Sequence, residues 1–160
     1  MSNVLAEETL YNNTIGTGNT AVGTNSLLSN TTGNYNAAIG NSALNFNTTG
    51  YSNVAMGYQT LYYNNSATNT TAVGYQAGKG VSGTSNQNNS LFGYQAGYGL
   101  STGSNNLLLG YKAGDALTTG SNNIVIGYDI DAPSVSSANT LDIVLIKENP
   151  CKKFARQKSV

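Results

Sequence analysis

Few side chains in this sequence could do chemistry, and their types narrow what that chemistry is. The 160 residues include no histidine, seven acidic and seven basic side chains, and one cysteine, Cys151. Without imidazole there is no nucleophile–histidine relay, no histidine-held metal and no imidazole acid–base step. A lone thiol forms neither a disulfide framework nor a metal-spaced pair. Beyond Glu7–Glu8, the closest carboxylates are Asp129 and Asp131. Two carboxylates so placed could hold a cation or divide the work of glycoside hydrolysis. The preferred reading is that they solvate a chain turn between Tyr128 and Pro133. No enzyme, cofactor or metal is expected. What remains is aromatic: Tyr58, Tyr75, Tyr94, Tyr111 and Tyr128 recur at a nearly fixed interval.

That interval belongs to the whole chain. Apolar triplets end in Gly23, Gly40, Gly57, Gly74, Gly93, Gly110 and Gly127, with separations of 17, 17, 17, 19, 17 and 17 residues. A period of this length predicts a solenoid of stacked coils, one supersecondary unit per coil. Extrapolation to Val4–Leu5–Ala6 and to Leu141–Asp142–Ile143 makes nine coils over residues 3–143, about 40 Å at parallel-strand spacing. Each triplet is β-prone and bounded by turn residues, so a strand of about four residues is expected per coil. A second turn signal, as in Thr31–Thr32–Gly33, divides each coil into two strands. The two extra residues between Gly74 and Gly93 predict a bulged surface loop near residues 80–86. Asn19, Asn36, Asn53, Asn89, Asn106 and Asn123 close most coils, with Thr70 and Thr140 as exceptions. Stacked at coil spacing, these amides can form a hydrogen-bonded ladder.

Two coil subtypes are visible. Leu27, Leu44 and Leu61 lie four residues after the glycine, with Leu10 matching in the first coil; Gly78, Gly97 and Gly114 occupy that place later. An apolar side chain then appears three positions on, at Val81, Leu100 and Leu117. Moving the filler while keeping one per coil implies a thin apolar core. The strands are apolar on both faces, which marks burial on both. A narrow coil has no second layer, so another copy of the chain is the expected supplier. The column expected at that contact is Ala21, Ala38, Ala55, Ala72, Leu91, Leu108 and Val125. The tyrosines are expected to stack along one edge, with their hydroxyls in water in preference to forming a carbohydrate- or partner-binding stripe.

The motif Ser52-Asn53-Val54-Ala55-Met56-Gly57, echoed at Asn122–Gly127 and Asn19–Gly23, resembles the head repeat of YadA-like trimeric autotransporter adhesins. The run Thr71-Ala-Val-Gly-Tyr-Gln-Ala-Gly78 is similar to repeats of phage tail-fibre and related trimeric surface proteins. The resemblance spans residues 3 to about 143 and takes its specificity from the repetition. It implies a left-handed parallel β-roll, a homotrimer, and a non-enzymatic module that forms or holds out a receptor-binding surface. A cell-surface receptor or glycan would be the partner, and a virion tail fibre or a bacterial surface the location. The coils here are longer than those of the adhesin heads. Where tail-fibre relatives continue from the phrase matching Ser137–Ile143 into Gly-Asn and a further domain, this chain continues into Val144 and a lysine-rich segment.

Neutrality excludes a nucleic-acid footprint in the repeats, and no apolar run is long enough for membrane insertion as a helix. The first eight residues carry no signal-peptide pattern. Residues 144–160, with Lys147, Lys152, Lys153, Arg156 and Lys158, read as a basic, weakly ordered tail outside the solenoid. An alternative reading is an ice-binding solenoid with threonines in columns, hinted at by Thr31–Thr32, Thr48–Thr49 and Thr118–Thr119. Asn64–Asn65 and Ser82–Gly83 interrupt that column.

Overall fold

Wherever the sequence places an apolar triplet before glycine, the backbone extends. A computed structural model describes residues 8–143. It contains eight strands of three residues each: β1 Thr20–Val22, β2 Ala37–Ile39, β3 Val54–Met56, β4 Thr71–Val73, β5 Ser90–Phe92, β6 Leu107–Leu109, β7 Ile124–Ile126 and β8 Leu141–Ile143. They form one parallel sheet in sequential order. The register advances by one period per strand, as in Ala38↔Ala55, and by the longer period at Ala72↔Leu91. The fold is therefore an all-β parallel solenoid. The further strand expected at residues 4–6, and the basic segment 144–160, lie outside the described residues.

The two-strand coil is a correction. After each strand the chain runs through successive turns and forms no second strand; outside the strands only isolated parallel bridges occur among the described residues, Tyr51↔Thr68 and Gln87↔Ser104. Gly40 O accepts from Ala43 N at 3.2 Å, and Leu44 O accepts from Asn47 N at 3.1 Å. Leu27, Leu44 and Leu61 sit in this segment with φ of 51°, 50° and 52°, in the left-handed region. The turns are still satisfied from coil to coil: Leu27 N donates to Ala43 O at 3.0 Å and Ser29 N to Asn45 O at 3.0 Å. Backbone groups that must be paired are paired without strand geometry. At the ends of β1 to β6 the glycine is obligatory. Gly57 has φ 133°, and a Cβ there would lie 2.5 Å from Gly74 O.

Inside the coil, Leu27, Leu44 and Leu61 meet Ala38, Ala55 and Ala72 in the first half, while Leu91, Leu108, Val125, Leu100 and Leu117 fill the second. Val81 is the exception to the expected filler column and is exposed. The extra residues explain it. Tyr63 still pairs with Lys79 at the normal offset, whereas Asn65 N donates to Thr84 O, so the insertion falls between them and carries Val81 outward.

The expected contact column is a second correction. Ala38, Ala55, Ala72, Leu91, Leu108 and Val125 are fully buried within a single chain, and Ala21 is half-buried at the first strand. They face inward because the turn-side leucines and glycines leave a space that only the strand centre can close. The residues on either side of each centre point outward instead, since side chains alternate along a strand.

Candidate functional site

Three columns of side chains run along the solenoid, the aromatic one from Tyr58 onward, and each is held by the coil repeat. The first is the buried amide ladder. Asn36 Oδ1 accepts from both the backbone N–H and the Nδ2 of Asn53, at 3.1 and 3.0 Å. Asn53 Nδ2 also donates to Ala67 O at 2.7 Å. The same set recurs at Asn106 and Asn123. At Thr70 the rung is weaker, because its Oγ1 accepts from Asn89 N at 3.4 Å. These buried, fully paired amides fix the coil spacing, which sets everything outside them.

The second column is aromatic. Tyr58, Tyr75, Tyr94, Tyr111 and Tyr128 stack with centroid separations of 5.3, 5.1, 5.1 and 4.8 Å and interplanar angles of 18°, 6°, 9° and 12°. The sequence expectation of stacked rings along one edge is met. Each ring is 39–57 % exposed. Because neighbouring rings cover one another's faces, the ladder offers solvent its edges and hydroxyls. Flat sugars stack on ring faces, and within the ladder those faces are taken by neighbouring rings.

The third column is the outer face of the strands. Val22, Ile39, Met56 and Leu109 are exposed there, and Val54 and Ile124 flank them, at 36–53 %. Beside it a shallow groove is lined by Asn88, Asn105 and Asn122 on one side and Leu107 and Ile124 on the other. Asn105 Nδ2 donates to Asn122 Oδ1 at 3.2 Å along that rim.

Three features escaped the sequence reading. Asn13, Asn30 and Asn47 form another amide ladder, at 2.7 and 2.8 Å, whose 17-residue spacing was the available signal. Gln59, Gln76 and Gln95 form a third, at 2.9 and 3.0 Å. Lys79 lies 5.4–6.0 Å from the rings of Tyr62, Tyr63 and Tyr98, a cation held among aromatic faces. The carboxylates also group differently from the Asp129–Asp131 expectation. Asp131 accepts from Ala116 N at 3.0 Å and neighbours Asp115, which lies 3.9 Å from Lys112 Nζ. Partial burial first, and then the Asp131 charge, push the Asp115 carboxyl above its ordinary range, with Lys112 opposing. Among the described residues no cluster of three acidic, histidine or cysteine side chains is placed to hold a metal ion. No helix among them is long and apolar enough to cross a membrane.

Comparison of the chain with protein-family models, curated proteins and solved structures finds no match in any of the three.

Proposed function

We propose that the chain is a non-enzymatic fibre module that works as a homotrimer and forms or holds out a receptor-binding surface, on a virion tail fibre or a bacterial surface. The observation that carries the reading is the outer strand face. Its apolar side chains are exposed on a sheet that the chain's own coils leave uncovered. Contiguous exposed apolar surface of this kind marks an interaction site. Another copy of the same solenoid is the partner whose side chains keep step with it, because both repeat at one coil rise along the full length. Three copies, and the adhesive role, rest on the likeness of Ser52–Gly57 and Thr71–Gly78 to repeats of trimeric adhesins and tail fibres. The hydroxyls of Thr31, Thr48 and Thr118 donate to carbonyls of the next coil, which removes half of each threonine pair from an ice-facing array.

Mass in solution tests the reading. The native chain should sediment as a trimer. Leu109→Glu, at a position already open in the single chain, should give a folded monomer, because it would bury like charges without partners. A native monomer, or a trimer indifferent to Leu109→Glu, would overturn the assignment of this face.

A further inference from the structure

The tyrosine ladder is suited to covalent change. We propose that it is a site of oxidative cross-linking, in which neighbouring rungs join through ortho–ortho dityrosine bonds within one chain. The proposal is independent of the trimer.

The argument starts from what an oxidant would meet. The sequence has no tryptophan and no histidine, and its one cysteine lies at 151, outside the described residues. Phenol rings are then the principal groups from which a one-electron oxidant can draw. Five of them stand in register, each within 4.8–5.3 Å of the next and nearly parallel to it. A phenoxyl radical on any rung therefore has a phenol or a second radical beside it, held there by the buried amide ladder. The rings are open to solvent on one edge, so they can be reached, and exposed side chains turn on a fast timescale. A swing of one ring toward its neighbour brings the carbons beside the two oxygens together.

The co-reactant is a peroxide-driven one-electron oxidase. Each of two tyrosines loses one electron and one proton. The two radicals join by a carbon–carbon bond, and each ring hydrogen at the new bond moves to its own oxygen to restore the phenol. Hydrogen peroxide takes the two electrons and two protons and leaves as two waters. The product is lighter by two hydrogens per link. It ties adjacent coils that the native fold holds only by hydrogen bonds and packing. Met56 sulfur, beside the ladder, would instead gain oxygen, so mass separates the two outcomes.

Other tyrosines serve as internal controls. Tyr11, Tyr35 and Tyr51 are exposed and take part in no such stack. Tyr62 and Tyr63 are 4.6 Å apart but at 76°.

The test treats the purified full chain with horseradish peroxidase and hydrogen peroxide, and reads intact mass, dityrosine fluorescence and cross-linked peptides. Links should map to Tyr58–Tyr75, Tyr75–Tyr94, Tyr94–Tyr111 and Tyr111–Tyr128 within one chain, at a rate independent of protein concentration. Tyr94→Phe keeps the ring and the stack but removes two of the four pairs, and should lower the number of links per chain by up to half while Tyr58–Tyr75 and Tyr111–Tyr128 persist. Urea-unfolded chain should lose the preference for ladder pairs. Links mapping mainly to Tyr11, Tyr35, Tyr51 or Tyr62–Tyr63 would overturn the proposal. So would links mainly between chains.

Discussion

The two halves of the solenoid fill one cross-section from opposite walls. In the first, leucine stands on the turn side at positions 27, 44 and 61, and alanine stands at the strand centre at 38, 55 and 72. In the second, the turn side carries Gly78, Gly97 and Gly114, and the strand centre carries Leu91, Leu108 and Val125. The backbone scarcely notices: φ at the turn site is 50–52° with leucine and 57–62° with glycine. A Cβ at Gly114 would lie 2.9 Å from Leu108 Cδ2, so the larger strand side chain fits only because the turn residue has none. Conserved volume, not residue type at either position, is what the repeat maintains. The first half achieves it at some strain, since a left-handed leucine costs about 1–2 kcal/mol that glycine does not.

Moving the second half's solution into the first should produce the largest effect. Leu61→Gly alone leaves a cavity and should cost about 2–5 kcal/mol, less the strain it releases. Ala55→Leu alone overpacks the same space and should cost about 1–3 kcal/mol. The double variant reproduces the Leu108–Gly114 pair within one coil. It should be more stable than the sum of the singles, by about 1–3 kcal/mol of coupling in urea unfolding. Additive losses would mean that the two walls do not share one volume.

A second test asks what the halves have in common. Asn36 in the first and Asn106 in the second each accept two hydrogen bonds from the next amide rung. Each also donates to a carbonyl, Gly50 O at 2.8 Å and Gly120 O at 3.0 Å. Replacement by alanine strands a buried N–H and a buried carbonyl, at about 1–3 kcal/mol per group. Asn36→Ala and Asn106→Ala should therefore lower stability by similar amounts, about 2–4 kcal/mol each. If one half tolerated the change, the ladder would not be the shared frame.

How much of this was readable in the sequence follows from the same comparison. Period alone fixed the parallel register, the tyrosine stack and the closing amides, because equal spacing in a solenoid becomes vertical alignment. The insertion loop was readable for the same reason. The inward column was not. Val22 and Ala21 both belong to apolar columns, and alternation says only that they face opposite ways. Size was the overlooked cue: a column of alanines suits the strand centre when leucines already occupy the turn side. The second strand of the coil failed differently. Thr24 to Asn30 offers no glycine, so nothing announces that Asn25 and Leu27 adopt φ of 58° and 51°. Tertiary packing imposes that conformation. The Asp115–Asp131 neighbourhood was not legible along the chain because the two residues are almost one period apart and meet only across coils.

The smallest predicted effect separates the end of the second half from everything before it, since Asp115 carries the charge strain among coils that are otherwise nearly neutral. Its carboxyl is pushed up by burial and then by Asp131, against the pull of Lys112. In the unfolded chain the group returns to its ordinary range, so the folded state binds the proton more tightly. Its contribution to stability is fully present below the unfolded pKa. It is lost as pH rises from there through the folded pKa, where the carboxylate forms in a place that disfavours it. Thermal unfolding followed from about pH 3 to about pH 7 should show a slight loss attributable to this group. Asp115→Asn should remove that slope, and so leave the variant as stable as the native chain in acid and slightly more stable at neutrality. Asp131→Asn should reduce it in part, because burial, the larger cause, remains. An unchanged slope would show that Lys112, 3.9 Å from Asp115, cancels the burial and repulsion it opposes, and a variant that lost more stability than the native chain between acid and neutral pH would show that it outweighs them.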